Sequence, residues 1–242
     1  MKLQIVIPLW NEEKNICQLV TMIEASPLVR DGTLGLILVD NGSQDRTGVI
    51  LKELSQNRKW ISVVHLERNQ NYGGGIFAGL VQTVTPYVGF IPGDLQVHMS
   101  DLEKIWNEYL KIGSMTKTLV KGNRTTRLDG FSTRLVSWVY TFLANRLLGI
   151  SVRDINGLPK VFDRRLLELL SSEVMKSFVW DAQLLATAHH HRWKIIEVPV
   201  TFHARREGIS SWSGKRFKVY IESIRLLLRI RRKGLAVPTR EI

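Results

Sequence analysis

Four short apolar runs constrain this chain more than anything else in it. Each breaks off into polar residues, and each is followed by a helical pattern. The runs are 3–8, closed by Pro8; 35–39 (Gly-Leu-Ile-Leu-Val), closed by Asp40; 61–66; and 87–91, closed by Pro92-Gly93-Asp94. Between them, Ile16, Leu19, Val20 and Ile23 mark a helix over 12–25, with Asn11 as its cap. Further helical patterns cover Asp45 to Leu54, about 74–84 and 100–112. Apolar runs without alternation are strands buried on both faces. Alternating with helices, they predict an α/β fold: a mostly parallel central sheet with helices on both faces. Such sheets bind ligands at the carboxyl ends of their strands. Asn11-Glu12, Asp40-Asn41-Gly42-Ser43 and Asp94-Leu95-Gln96 all fall there, so three polar loops on one edge predict a site.

The second half reads differently. A short strand at 118–121 precedes a long apolar and basic segment, 131–149. Helices follow at about 163–171 and 179–190, then a strand at 194–199 ending in Pro199 and a last helix at about 215–232. Residues 234–242 read as a loose tail. No internal repeat or low-complexity linker interrupts the chain, which predicts one compact domain with a C-terminal helical appendage. At 242 residues it can bury a core without covalent staples. The single cysteine, Cys17, excludes an intrachain disulfide and a Cys-based zinc site, and fits a reducing compartment. No run of 18 apolar residues predicts a transmembrane helix, and Met1 to Pro8 turns polar too soon for a signal peptide. A cytoplasmic protein is expected. Lys and Arg number 34 against 22 Asp and Glu, a net charge of +12. That excess points to an anionic partner: nucleic acid, a phosphorylated substrate or an acidic membrane surface.

Individual motifs carry chemistry, each against a plainer reading. Asp40-Asn41-Gly42-Ser43-Gln44-Asp45-Arg46-Thr47 is an ordinary turn before a helix, or a carboxylate that accepts hydrogen bonds from a nucleobase or ribose. Pro92-Gly93-Asp94-Leu95-Gln96 is a turn, or a divalent metal site in which Asp94, assisted by Gln96, meets a diphosphate. Gly73-Gly74-Gly75 opens a helix and lets backbone approach a phosphate, but no Walker lysine follows. His189-His190-His191 point three ways on a helix and read as a solvated helix end, and His98 as a surface residue. Arg205-Arg206-Glu207-Gly208-Ile209-Ser210 is a solvated loop, or one that closes over a phosphate. In the last helix Phe217, Tyr220, Ile224 and Leu227 share one face and Lys218, Arg225, Arg229 and Arg232 another. A basic amphipathic helix binds a membrane surface or packs on the core with its charges outward. Segment 131–149, with Trp138 and Phe142 among Arg134 and Arg146, is core or lies at a bilayer interface.

In this order the pieces resemble the family 2 glycosyltransferases, which have the Rossmann-like GT-A fold, most closely the dolichyl-phosphate mannose synthase type that makes polyprenyl-phosphate sugars. Val6-Ile7-Pro8-Leu9-Trp10-Asn11-Glu12-Glu13 is similar to that family's opening strand and loop. Asp40 to Thr47 is similar to its second motif, with Asn41 where a second Asp is common. Gly93-Asp94-Leu95-Gln96 resembles its Asp-Ala-Asp-Leu-Gln metal motif, with Pro92 in place of the first Asp. Gly122-Asn123-Arg124, Arg134 with Ser137, Asp154-Ile155-Asn156-Gly157, and Arg205-Arg206 with Gly208 and Ser210 resemble its acceptor half. The likeness covers about residues 3–215. It implies a catalytic domain over 1–214 and a membrane-associating helix and tail over 215–242.

The resemblance also implies roles. Pro8, Trp10, Asn11, Glu12, Asp40, Gly73 and Asp94 would hold the nucleotide-sugar. Asp94 and Gln96 would hold Mg²⁺ or Mn²⁺, with metal dependence weakened by Pro92. Arg124, Arg134, Ser137, Arg205, Arg206 and Ser210 would receive the acceptor phosphate. Asp94, Asp154 and Arg124 would be the catalytic set. The implied reaction is inverting transfer of a hexose from a GDP- or UDP-sugar to a polyprenyl or dolichyl phosphate, by a peripheral enzyme on the inner face of a membrane. A lipid phosphate is already an anionic nucleophile and needs no base. Transfer to a saccharide or metabolite hydroxyl is the alternative, and would require Asp154 or Asp181 as base. A nucleic-acid-binding module fits the charge, but no recognised nucleic-acid motif is present and the strand ends are acidic, so no nucleic-acid partner is expected.

Overall fold

The computed structural model describes residues 1–112, 116–128, 131–170, 179–203, 223–228 and 231. Its elements in chain order are β1 (Leu3–Leu9), α1 (Ile16–Glu24), α2 (Pro27–Arg30), β2 (Leu34–Asp40), α3 (Thr47–Gln56), β3 (Ile61–His65), α4 (Asn71–Leu80) and β4 (Tyr87–Phe90). Then come α5 (Met99–Ile112), β5 (Thr118–Arg127), α6 (Phe131–Leu148), β6 (Lys160–Asp163), a 3₁₀ turn (Arg164–Leu169), α7 (Trp180–His190) and β7 (Lys194–Phe202).

The apolar runs build the sheet they predict. Seven strands lie in the order β3-β2-β1-β4-β6-β5-β7. β1 pairs parallel with β2 and β4, and β2 with β3. β6 runs antiparallel between β4 and β5, and β5 pairs parallel with β7. β2 is buried along its whole length, and β1 at every position but Pro8. That is why both read as unbroken apolar runs. The core joins them to Ile16, Leu19, Val20 and Ile23 of α1, Ile76 and Leu80 of α4, and Trp180, Leu184 and Leu185 of α7.

Several boundaries differ from the sequence reading. α1 starts at Ile16 and not at residue 12, and Asn11 does not cap it. Asn11 instead adopts a left-handed backbone (φ 55°), and its side-chain oxygen accepts from the Gln44 amide at 2.8 Å. The β1–α1 loop is thus tied to the next polar loop before any helix begins. The three glycines lie inside the first turns of α4 and are buried. A Cβ on Gly75 would stand 2.9 Å from Asn41 Nδ2 and 3.1 Å from Pro8 Cβ, so the run lets a helix sit close on two loops. The helix expected at 163–171 is a 3₁₀ turn over Arg164–Leu169, and the strand β6 just before it went unforeseen, since four buried residues are too few to show a period. β5 continues past 121 to Arg127, and β7 continues through Pro199 to Phe202. Proline is tolerated there because β7 is the edge strand, where a missing amide breaks no second ladder. Helix α2 carries no periodic signal at four residues; Ser26 caps it through its hydroxyl, and Pro27 starts it.

Residues 223–228 are helical, with Leu227 in the core cluster and Arg225 exposed. Apart from residue 231, the rest of the predicted last helix, the tail, and Arg205, Arg206 and Ser210 lie outside the described residues.

Candidate functional site

The topology sets one edge. Because β1, β2 and β4 are parallel, their carboxyl ends share it. β5 and β7 run the same way, and the antiparallel β6 enters from it, with Lys160 opposite Phe90 of β4. The loops around residues 10–15, 41–46, 91–98 and 153–159 therefore meet there, beside the ends of β5 and β7.

The first two loops are stitched together. The Asn11 amide donates to Ser43 Oγ at 3.1 Å and the Glu12 amide to Thr47 Oγ1 at 2.9 Å. The Arg46 amide donates to Glu13 Oε2 at 3.1 Å, and Asn15 Nδ2 to Glu12 Oε2 at 2.6 Å. Asp40 is buried at the end of β2. It accepts from the Ser43 amide at 3.0 Å, and its other oxygen lies 3.3 Å from His65 Nδ1. Asn41 is buried too, bonding the Gln70 amide at 2.9 Å and the Asn71 carbonyl at 3.0 Å. It thereby locks the start of α4 to β2. Pro8 is half-buried, Trp10 stands exposed on the rim, and Gly73 lies in the first turn of α4.

The third loop carries Asp94. The Gln96 amide donates to Asp94 Oδ1 at 3.2 Å, and the Leu95 between them is left-handed (φ 62°). Gln96 Nε2 donates to the His203 carbonyl at 2.9 Å, and the His203 amide returns a bond to the Gln96 carbonyl at 3.2 Å. The rings of His98 and His203 stack at 3.8 Å. So Gln96, foreseen as a metal ligand, also clasps the end of β7. Among the described residues no three His, Cys, Asp or Glu side chains form a metal cage. The donor set of Asp94 with one amide oxygen suits a hard divalent cation only when substrate phosphates complete the shell.

Beyond Asp94 the edge opens into a cleft of about 360 Å³, lined in part by Arg124, Arg134, Ser137, Trp138, Arg153 and Asp154. Arg124, in the second half of β5, grips Asp154 in a fork: Nε to Oδ2 at 2.7 Å and Nη2 to Oδ1 at 2.8 Å. Nη2 also reaches Ser137 Oγ on α6 at 3.0 Å, and the guanidinium lies 5.1 Å from the Phe202 ring centroid. Burial alone would raise the Asp154 carboxyl. The Arg124 bonds and charge, with the charge of Lys121, outweigh it and hold the group well below the usual carboxylate range. Among the described residues the cleft is thus lined by three arginines and one carboxylate, which is already paired with Arg124.

Tyr72 links the two halves. The buried hydroxyl of this half-exposed residue bonds Asp181 and feels the charges of Asp94 and Arg124. Burial and the charge of Asp181 push the phenol well above its ordinary value, so it stays neutral.

The residues expected to act together fall in more than one place, and Asp94, expected to act with Arg124 and Asp154, lies on its own loop and is not among the described residues lining the cleft. Arg124, Arg134, Ser137 and Asp154 line one cleft, while Asp40, Asn11 and Glu12 share a stitched corner. Sequence reasoning missed Arg153, Tyr72 and His203. Arg153 adjoins Asp154 and could have been found from that alone. Tyr72 and His203 become visible only when α4 and β7 are placed.

Glycosyl transferase family 2, as a family description, matches residues 4–170. A dodecaprenyl-phosphate galacturonate synthase of Rhizobium johnstonii is 27% identical over 240 residues, covering 97% of this chain and 69% of that protein. An undecaprenyl-phosphate 4-deoxy-4-formamido-L-arabinose transferase of Pectobacterium atrosepticum is 29% identical over 212 residues, 86% of this chain and 62% of the other. The chain therefore spans under two thirds of the second relative's length. Among solved structures, glucosyl-3-phosphoglycerate synthase of Mycobacterium tuberculosis with uridine diphosphate shares the fold. Its TM-score is 0.68 at 22% identity, over 94% of this chain and 80% of that one. The same enzyme with Mn²⁺, uridine diphosphate and phosphoglyceric acid gives 0.67 at 21% identity, over 99% and 80%.

Proposed function

The chain belongs to glycosyl transferase family 2, and we propose that it moves a hexose from a GDP- or UDP-linked donor to a polyprenyl phosphate, with inversion, at the inner face of a membrane. The observation that carries this reading is the cleft. Arg124, Arg134 and Arg153 line it, and Asp154, the one carboxylate among its described lining residues, is already forked to Arg124. Such a cleft favours an anion. The two relatives described above, named for dodecaprenyl- and undecaprenyl-phosphate, support the acceptor class.

The geometry also speaks against a hydroxyl acceptor. That chemistry needs a free base. Asp154 is tied to Arg124, and Asp181 to Lys160 and Tyr72. A phosphate acceptor is its own nucleophile. What remains for the protein is to hold two anions together, through Arg124, Arg134, Ser137 and Arg153 on the acceptor and Pro8, Trp10, Asn11, Glu12, Asp40 and Gly73 on the donor. Arg205, Arg206 and Ser210 are proposed for the acceptor phosphate on sequence grounds. Asp94, with Gln96, would hold Mg²⁺ or Mn²⁺, which when bound supplies charge neutralisation at the donor diphosphate.

Membrane contact has its own support. No described helix is long and apolar enough to cross a membrane. α6 instead exposes Leu135, Trp138, Val139 and Phe142, with Trp138 and Phe142 stacked at 6.0 Å and Arg134 and Arg146 exposed beside them. Leu135 and Trp138 also line the cleft. An amphiphile fits this: phosphate against the arginines, hydrocarbon along α6, the helix on an anionic surface. The proposed division is a catalytic domain over 1–214 and a second surface-binding helix over 215–242.

The test is a transfer assay with labelled GDP- and UDP-sugars, a short polyprenyl phosphate, and Mg²⁺, Mn²⁺ or chelator. Label is expected in the organic phase with one donor, and Arg124→Ala should lower kcat/KM by about 10²-fold or more. No organic label with any donor, alongside nucleotide release to a hydroxyl acceptor, would overturn the reading.

A further inference from the structure

Among the described residues two lysines are completely buried, and neither is in the cleft's described lining. Lys121 of β5 and Lys160 of β6 stand directly opposite each other across the antiparallel ladder. Their side chains therefore leave the same face of the sheet. Lys121 Nζ donates to the Gly122 carbonyl at 2.7 Å, to Glu197 Oε1 at 3.0 Å and to the Asp154 carbonyl. Lys160 Nζ donates to the Gly157 carbonyl at 2.9 Å and to the Asp181 carboxylate. The loop from Asp154 to Gly157 is thus held at both ends by an ammonium group.

The rest of the setting is equally tight. Glu197 of β7 accepts from the Arg153 amide at 2.8 Å and the Asp154 amide at 3.2 Å. A Cβ on Gly157 would stand 2.0 Å from the Gly122 carbonyl oxygen, and one on Gly122 would stand 2.3 Å from that of Leu158. The loop lies on β5 backbone to backbone. What it presents outward is the Asp154 carboxylate that aims Arg124.

Buried charges are a poor way to gain stability, since well-packed apolar side chains often do as well. Two like charges side by side are worse still. Their common product is the placement of one loop. On the functional reading above, we propose that Lys121 and Lys160 are positioning residues of the acceptor site: they fix the Asp154–Gly157 loop by its end carbonyls and so orient the Arg124 guanidinium towards the acceptor phosphate.

The groups facing Lys160 are Asp181 of α7, Lys121 of β5 and the loop's own Asp154, with Tyr72 of α4 sharing Asp181. Burial, joined by the charge of Lys121, draws the Lys160 ammonium down to about 8 against the pull of Asp181 and Asp154. Above that pH the neutral amine loses the charge assistance of its bond to Gly157, and the hold on the loop relaxes.

Lys160→Met and Lys121→Met test this by three readouts. Backbone hydrogen exchange should quicken at least tenfold at Arg124 and at 154–157, with β1 and β2 unchanged. In the transfer assay, acceptor KM should rise at least tenfold while donor KM stays within twofold. Wild-type acceptor KM should climb between pH 7 and 9.5, and in Lys160→Met it should be high and flat. Unchanged loop exchange, or donor and acceptor KM rising together, would overturn the proposal. If the methionine variants do not fold, the wild-type pH profile and Glu197→Gln carry the same split with the same two outcomes. A wild type that transfers nothing would count against the functional reading alone, because the exchange arm reads the loop without catalysis.

Discussion

Asp154 does two jobs through one side chain. Its oxygens accept the Arg124 fork, and its backbone meets Lys121 and Glu197. Its carboxyl is held below the usual range, so the unfolded chain takes up a proton near the ordinary aspartate value while the native chain does not. The stability this group contributes is therefore complete above about pH 4 and lost as pH falls towards its native value. Asp154→Asn should cost roughly 3 kcal/mol at pH 7, by leaving Arg124 buried without its partner. It should also flatten the acid limb of stability against pH, checked by urea unfolding between pH 2.5 and 7. At this scale the sequence was legible where polar residues have few structural uses. Arg124, Ser137 and Asp154 come from three separate segments and meet within 3.0 Å or less. Gln96 was half legible. Its place beside Asp94 was clear, but its bond to the His203 carbonyl depends on where β7 ends, which no local pattern states.

Elements show why some patterns read well and others did not. β1 and β2 are buried on both faces, so their composition alone revealed them. β6, equally buried but four residues long, was hidden beside a 3₁₀ turn. The glycines of α4 suggested ligand approach, but their visible use is packing. A Cβ on Gly79 would stand 2.4 Å from Val6 Cγ1 and 2.8 Å from Val39 Cγ2. Both neighbours are β-branched and stiff. Gly79→Ala should destabilise by about 1–3 kcal/mol in chemical denaturation, with the donor and acceptor constants of the remaining folded protein unchanged. α6 is the opposite case, since its bulky residues read equally as core or interface. The structure leaves Trp138 65% and Phe142 58% exposed. Trp138→Glu should weaken co-sedimentation with anionic vesicles roughly tenfold or more without lowering Tm, as expected for removing one large apolar side chain from an interface.

For the whole molecule, the sheet order and the charge act together. Placing β6 antiparallel between β4 and β5 brings the 153–159 loop to the edge where β1, β2 and β4 end. The proposed donor corner, the Asp94 loop and the arginine cleft thus share one edge. A net charge of +12 suits the proposed function, in which both substrates and the supporting surface would be anionic. Vesicle binding should accordingly weaken between 50 and 300 mM salt, and the loss should be smaller for neutral vesicles. The most direct test of the central claim is acceptor choice. Wild-type protein with its best donor would be offered a short prenyl phosphate and the matching prenol in parallel. Transfer to the phosphate, with less than a hundredth as much to the alcohol, is the result expected of a cleft lined by Arg124, Arg134 and Arg153, whose one described carboxylate is paired with Arg124. Comparable transfer to the alcohol would contradict it.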